Sequence, residues 1–254
     1  MITIVAERAL CQTLSAALPE GTPHEVGSRL TARVLRGESD LLFLQLRSGV
    51  GRSAVYRLRE LMKAAPWLPI VTVISLGEDP KIVMAVGGLG ISVVLTWPHD
   101  DELEAVRRLV LDHCCSALGD VVYRRLAGAD PVLRSALAWA TRFAHHNPTL
   151  DDLARGVGLD RRSLARHLEA GTGYTPRRIM TQGRIVQAAF RLKATGQTVE
   201  VVASAIGFSS ASGLRRALRR NVGVLPSGLR VRSGLRTILE GLRWDLCGGT
   251  TVVH

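Results

Sequence analysis

The sequence predicts an α/β domain with a doubly wound parallel sheet, followed by an all-α domain with two helix-turn-helix motifs. Three observations point to this arrangement. Short apolar runs alternate with helix-like stretches in the first half of the 254 residues, one pattern of apolar and turn residues occurs twice near the C-terminus, and the excess positive charge lies in the second half. Alternating strands and helices favour a parallel sheet with helices on both faces, and an internal repeat indicates duplicated structural units.

The apolar runs of the first half place its elements. The predicted strands are residues 2–6, 24–26, 41–46, 70–76 and 91–96, and the predicted helices are residues 7–18, 27–35, 51–65 and 100–111. Runs of this length, separated by turn residues, are typical of strands and helices that alternate along a chain. We expect the flavodoxin-like strand order for such a sheet.

The repeated pattern of the second half has a physical reason at each position. A small alanine lets one helix cross close to its neighbour, a glycine takes the positive φ that ends a helix, and an aspartate or serine caps the next helix. The first copy contains Leu153, Ala154, Gly158, Asp160, Leu164 and Leu168, and the second contains Val202, Ala203, Gly207, Ser209 or Ser210, Leu214 and Leu218. The offset between the copies is 49 residues up to Ser209 and 50 from the leucines onward, so the second turn has one additional residue.

The face opposite these leucines is basic in both copies. The first copy carries Arg162, Ala165 and Arg166 there, and the second carries Ser212, Arg215 and Arg216. A recognition helix presents such donors to base edges in the major groove, where arginine bridges two acceptors of guanine. A solvated arginine face on an ordinary helical bundle is the alternative. The matched positions of the two copies favour recognition of DNA.

A helix is predicted between the two copies. Pro176 suits its first turn, Gly196 suits its end, and Ile179, Val186 and Phe190 form one apolar stripe. About 19 residues at 1.5 Å each make a connector of roughly 28 Å. One turn of B-DNA is roughly 34 Å, so we expect the two recognition helices to enter successive major grooves on one side of the duplex.

Residues 131–230 resemble the DNA-binding domain of the AraC/XylS family of bacterial transcription regulators. The resemblance is carried by the first motif, by the linker that begins at Pro176, and by the string from Gly207 through Ser210 to Pro226. It implies groove-facing positions at Arg162, Ala165, Arg166, Ala211, Ser212, Arg215 and Arg216. The chain departs from the family at Leu168, Leu214 and Leu218, where an aromatic residue is usual, and Gly213 lies inside the second recognition helix.

The first half is similar to the receiver domain of bacterial response regulators, but the residues for phosphotransfer are missing. Gln45 stands at the position of the phosphorylated aspartate, and Glu7 with Arg8 stands in place of the acidic pair. Ser75 matches the hydroxyl after the fourth strand, whereas Trp97 replaces the lysine before Pro98. An amide is a poor nucleophile, and one carboxylate beside an arginine suits a hard cation badly. We expect no phosphoacceptor and no metal or other cofactor.

Composition supports the division into two halves. Residues 1–120 contain 12 Lys+Arg against 14 Asp+Glu, whereas residues 121–254 contain 21 against 8. A basic half is expected to neutralise phosphates. Four cysteines without ligand spacing and the lack of a leader or long apolar run predict a reducing cytoplasm. The uncharged stretch 82–98 is too short and glycine-rich for a membrane span. His145 with His146 is more typical of a helix end than of a metal site.

The resulting interpretation is a regulator without enzymatic activity. Its predicted parts are a degenerate receiver-like domain at residues 1–120, a linker at 121–130, a DNA-binding domain at 131–232 and a C-terminal tail at 233–254 with an amphipathic helix near 235–246. We expect double-stranded DNA, a second copy of the chain and RNA polymerase as partners, and no membrane. Two alternatives stay open: a regulator switched by a small molecule, and a protein-interaction factor such as an antiactivator, whose basic helices bind an acidic protein surface.

Overall fold

The computed structural model describes residues 2–18, 24–27, 39–46, 51–75, 80–91, 94–97, 103–230 and 238. Most of the predicted helix at 27–35 lies outside these residues, as does the predicted tail helix apart from the buried Ile238.

Five parallel strands form one sheet in the first half. They are β1 (Ile2–Val5), β2 (His24–Gly27), β3 (Leu41–Leu46), β4 (Ile70–Ser75) and β5 (Val94–Trp97). The sheet order is β2-β1-β3-β4-β5, which is the predicted winding. In the register of the sheet, Ile2 lies beside both His24 and Leu41, and Ser75 lies beside Trp97.

The helices of the chain are named here in order. They are α1 (Arg8–Ala17), α2 (Gly51–Ala64), α3 (Pro80–Gly87), α4 (Leu103–Arg125), α5 (Pro131–Phe143), α6 (Leu150–Gly156), α7 (Arg161–Thr172), α8 (Pro176–Ala194), α9 (Val199–Ala205), α10 (Ala211–Val222) and α11 (Pro226–Arg230), with a 3-10 turn at Ala144–His146. None of the helices in the described ranges is long and apolar enough to cross a bilayer.

Helices cover both faces of the sheet. Strands β1, β3 and β4 are buried along nearly their whole length, as expected for parallel strands with apolar residues on both faces. Ile4 and Phe43 pack in one core with the buried faces of α1 and α4, whereas Leu44 packs in a second core with α2 and α3. The first of these cores continues without a break into the helical half.

Helix α4 is longer than predicted and crosses the predicted boundary between the halves. It extends from Leu103 to Arg125, so the first five residues of the predicted linker 121–130 are helical. Val121 and Val122 are fully buried because the apolar stripe that begins on the sheet continues against α5. At the other end of this segment, the Asp130 carboxylate accepts the N–H groups of Val132 and Leu133 and caps α5.

The pair formed by α4 and α5 joins the two halves. The Arg142 guanidinium donates to the Asp120 carboxylate at 2.7 Å across this pair. Arg134 donates to the backbone carbonyl of Tyr123 and lies 3.6 Å from the centre of its ring. A Cβ at Gly119 would lie 2.9 Å from the Ala138 carbonyl oxygen, so the glycine permits the close crossing.

Helix α8 crosses α5 as closely as α4 does, and a glycine again lies at the crossing. A Cβ at Gly183 would lie 2.5 Å from the backbone carbonyl carbon of Ala140. Gly183→Ala should therefore destabilise the protein by about 1 to 3 kcal/mol, measured by urea unfolding, because backbone must move to admit the methyl group.

Gly171→Ala is the matched control for this substitution. Gly171 lies within α7 and has open space where a Cβ would be placed. This second variant should be more stable than the parent by about 0.5 to 1 kcal/mol, since alanine favours the helix. Equal effects of the two substitutions would show that the α5–α8 crossing does not need glycine.

Candidate nucleic-acid interface

Two helix-turn-helix units with nearly the same geometry follow α5. The first helices, α6 and α9, have 7 residues each, and the second helices, α7 and α10, have 12 residues each. The turn glycines Gly158 and Gly207 both have a φ of 74°, a left-handed conformation that a β-carbon disfavours. The pairs α6 with α7 and α9 with α10 thus form two copies of one unit, as the sequence repeat predicts.

Side-chain caps fix the starts of these helices. Asp160 accepts the N–H of Ser163 at 2.9 Å and starts α7, and Ser210 accepts the N–H of Gly213 at 3.1 Å and starts α10. Ser210 rather than Ser209 is therefore the cap, so the additional residue lies before the cap. The Ser163 hydroxyl and backbone N–H lower the pKa of Asp160, because both donate to its charged carboxylate.

The apolar and basic faces separate as predicted. Leu164, Leu168, Leu214 and Leu218 are fully buried. The predicted groove-facing side chains lie on the other face, where Arg162, Arg166, Ser212, Arg215 and Arg216 are exposed and Ala165 and Ala211 are partly exposed. Each unit therefore presents arginine on a capped helix whose opposite side is held in the core.

The arginines of the two faces differ in their contacts. Arg215 on α10 donates to the Glu200 carboxylate on α9 at 3.0 Å. Arg162, Arg166 and Arg216 make no ion pair within the described part of the chain. A carboxylate thus holds one of the two central arginines of the second unit, whereas both arginines of the first unit are available to a ligand.

Two contacts outside the predicted site orient the units. The His167 ring on α7 lies 3.1 Å from the Asp130 carboxylate, which connects α7 to the cap of α5. Burial raises the pKa of Asp130, but the Leu133 N–H and His167 outweigh burial and leave the pKa below its usual value. Asn147 has a left-handed φ of 50°, and its carboxamide fills the place of a Cβ at Gly207. Neither contact is predictable from the sequence, because the partners are far apart along the chain.

The predicted helix end at His145 and His146 lies against α4. The His145 ring contacts the Asp112 carboxylate at 3.0 Å through Nε2 and the Gln187 carboxamide at 3.1 Å through Nδ1. Burial, followed by the neighbouring His146, lowers the pKa of His145 to about 4. Asp112, His145 and His146 bring potential metal-ligand atoms within 4.8 Å of one another. Both nitrogens of His145 already have hydrogen-bond partners. Through these two hydrogen bonds, His145 connects α4 with α8.

Three of the residues at the phosphotransfer positions meet at the carboxyl ends of the strands. The Gln45 carboxamide accepts the Glu7 backbone N–H at 2.8 Å and lies 3.5 Å from the Ser75 hydroxyl. The side chain of Gln45 thus bridges the ends of β1 and β4 as an amide without nucleophilic character.

Comparisons with known proteins agree with the helical half. Residues 153–232 match the family model described as a helix-turn-helix domain. A protein of Streptomyces antibioticus with the description AraC-like transcription regulator is 34% identical over 112 residues, which are 44% of this chain and 37% of that protein. A protein of Streptomyces lividans with the same description is 35% identical over 106 residues, covering 41% of this chain and 35% of its own length.

A solved structure is also similar to part of the chain. It is a transcriptional regulator with an AraC-type DNA-binding domain from Chromobacterium violaceum, 27% identical, covering 41% of this chain and 93% of its own, with a TM-score of 0.37. The matched residues span little more than a third of the length of the two Streptomyces proteins. Residues 153–232 therefore form a helix-turn-helix domain, and the chain is similar in part to AraC-like transcription regulators.

The contact between Asn147 and Gly207 can be tested by comparing the two turn glycines. Gly158 has the same backbone conformation but no such contact, so it is the control. Gly158→Ala should destabilise the protein by about 1 to 2 kcal/mol, because only the left-handed backbone opposes the methyl group. Gly207→Ala should destabilise it further, because the methyl group also overlaps Asn147. Adding Asn147→Ala to Gly207→Ala should raise the free energy of unfolding, measured in urea, toward that of Gly158→Ala. Equal stability of the two single variants would show that Asn147 does not constrain the second turn.

Proposed function

We propose that the helix-turn-helix domain makes this chain a sequence-specific, DNA-binding transcription regulator that works without phosphorylation. The observation that carries the proposal is the pair of exposed arginine faces at matched positions on α7 and α10. Each face lies on a capped helix with a buried opposite side. Such a helix offers rigid, charged donors that fit the major groove.

The exposed side chains would divide the work of recognition. Arg162 and Arg166 on α7, with Arg215 and Arg216 on α10, would contact base edges or adjacent phosphates, and Ala165, Ala211 and Ser212 would leave room for bases to approach. Arg219 and Arg220 lie in the last turn of α10 and would add phosphate contacts. Helix α8 would act as the spacer that brings the two recognition helices to successive major grooves.

The first half would act as an interaction or sensing domain related to receivers. Its sheet order supports this relation, and Gln45 at the expected acceptor position supports control without phosphorylation. We infer a homodimer through this half and contact with RNA polymerase at the promoter. In this proposal residues 1–120 and 131–232 carry the two roles, although α4 belongs to the cores of both.

Substitution of Arg166 tests the base-reading role. An operator is first selected from a random duplex pool, and affinity is then measured by fluorescence anisotropy. Arg166→Ala should weaken binding by about 1 to 3 kcal/mol and relax the preference at one base pair. Arg59→Ala, which removes an exposed arginine from α2, is the control and should leave affinity unchanged. A selection without any sequence preference would contradict the proposal and favour an acidic protein surface as the partner.

Release of Arg215 tests the asymmetry between the two units. Glu200→Gln removes the carboxylate that holds Arg215 and should raise operator affinity about two- to fivefold, the range expected for an exposed ion pair. Asp151→Asn removes the same charge at the equivalent position of the first unit, where Arg161 is 3.9 Å away. The control should change affinity less. If both variants gain equally, reduced negative charge near the phosphates explains the result and release of Arg215 does not.

A further inference from the structure

The ion pair of Arg215 with Glu200 distinguishes the second unit from the first. Nη2 of Arg215 donates to Oε1 of Glu200 at 3.0 Å, and the two side chains are 48% and 64% exposed. The pair therefore lies on the open surface between α9 and α10, within reach of a DNA ligand. The corresponding positions of the first unit are Asp151 and Ala165, so alanine stands there where the second unit has its paired arginine.

The start of α9 holds Glu200 in place. Glu200 lies in the first turn of this helix, and the N-cap residue Thr198 accepts the Val201 N–H. The helix dipole favours a carboxylate in this turn. The Glu200 backbone N–H is the main cause of a lowered pKa of Glu200, and hydrogen bonds from Arg215 and Thr198 contribute. The charged carboxylate is thus fixed from its own helix and is a defined acceptor for Arg215.

The ion pair changes what Arg215 contributes to DNA binding. An arginine attracts phosphates through its charge, whatever the base sequence, and it reads guanine through two of its N–H groups. The carboxylate of Glu200 compensates the charge. It accepts from one nitrogen, whereas a guanidinium has five N–H donors, so donors for O6 and N7 of guanine remain. The ion pair therefore weakens the attraction to phosphates more than it weakens the reading of guanine.

The first unit has the opposite balance. Arg162 and Arg166 form no ion pair with any residue that the structure describes, so the full charge of both acts on a ligand. Asp151 lies 3.9 Å from Arg161, which is not among the predicted groove-facing residues. The charge on the recognition face of the first unit is thus uncompensated, whereas one central arginine of the second unit is compensated.

We propose that Glu200 is a specificity-determining residue, which restricts Arg215 to reading one guanine in the half-site that α10 contacts. The first unit then supplies most of the affinity that is independent of sequence, and the second unit discriminates between sequences. Glu200 acts through Arg215 and is a positioning residue. This inference rests on the proposed function, because it assigns a base to one of the proposed DNA-contact residues.

A comparison of two duplexes tests the role of Glu200. One duplex is the selected operator, and in the other the half-site of α10 is scrambled. The half-site of α7 is the one in which Arg166→Ala relaxes the base preference, so the remaining half-site belongs to α10. Glu200→Gln should strengthen binding to the scrambled duplex about ten- to fifteenfold, but to the operator only about two- to fivefold. Discrimination between the duplexes should therefore fall at least about twofold.

The salt dependence of binding gives an independent measurement. For the scrambled duplex, the slope of log Kd against log salt concentration should steepen by about 0.9 in Glu200→Gln, the change expected for one additional phosphate contact. Both side chains of the ion pair are exposed, so Tm should stay within about 2 °C of the parent value. An unchanged slope together with unchanged discrimination would overturn the proposal.

Two further variants separate positioning of Arg215 from a general effect of charge. Asp151→Asn removes a negative charge at the position that corresponds to Glu200, and it should leave the discrimination ratio unchanged. In an Arg215→Ala background, Glu200→Gln should no longer change the ratio, because Glu200 acts through Arg215. If the ratio falls equally in that background, Glu200 repels phosphates directly and the assignment is wrong.

Modified bases identify the guanine that Arg215 reads. Each guanine in the half-site of α10 is replaced in turn by 7-deazaguanine, which lacks the N7 acceptor. One replacement should weaken binding of the parent about three- to tenfold and leave binding of Arg215→Ala unchanged. If every replacement affects the parent and Arg215→Ala equally, Arg215 does not read guanine and the proposal fails.

The failure of this inference and the failure of the proposed function give different results. A random-pool selection without any sequence preference yields no operator, which contradicts the proposed function and this inference with it. A selected operator whose discrimination is the same for the parent and for Glu200→Gln contradicts only the role of Glu200.

Discussion

The close packing of α4 on α5 is the constraint on which the rest of the structure depends. Gly119 lets the two helices cross, and Asp120 and Arg142 pair across them. Helix α5 then positions the later elements: α8 through Gly183, and α7 through the contact of His167 with the α5 cap. Both arginine faces are thus oriented from one helix, which in turn shares its core with the sheet.

Features that local physics decides were predictable from the sequence. Strand β3 has the bounds that its apolar run predicts, and the strand order agrees with the expected winding. The turn glycines have positive φ, and the inward leucines are buried. Both features depend on residues that are close together in the sequence, so a local pattern predicts them. The exposed face follows from the same periodicity, so the sequence alone predicts that Arg162, Arg166, Arg215 and Arg216 are exposed.

Features that depend on distant partners were not predictable. The sequence places the end of a helix near residue 111 and a linker after 120, but the apolar stripe of α4 changes its partner from the sheet to α5 and the helix continues to Arg125. Likewise, the pairing of Arg215 with Glu200 and the fit of Asn147 against Gly207 join residues 15 and 60 positions apart. No local pattern encodes which exposed side chains meet after folding.

The sharing of α4 between two cores has a practical consequence for how the protein can be divided. Its last turns bury Leu118, Val121 and Val122 beneath the helical half. A recombinant fragment that starts at residue 131 would lose this cover and expose a continuous apolar surface to water, which favours aggregation. A fragment that starts near residue 103 keeps the cover but carries with it the sheet-facing residues Val110 and Cys114, now bare. Each fragment would expose apolar residues that are buried in the whole chain, so the two halves should be expressed together.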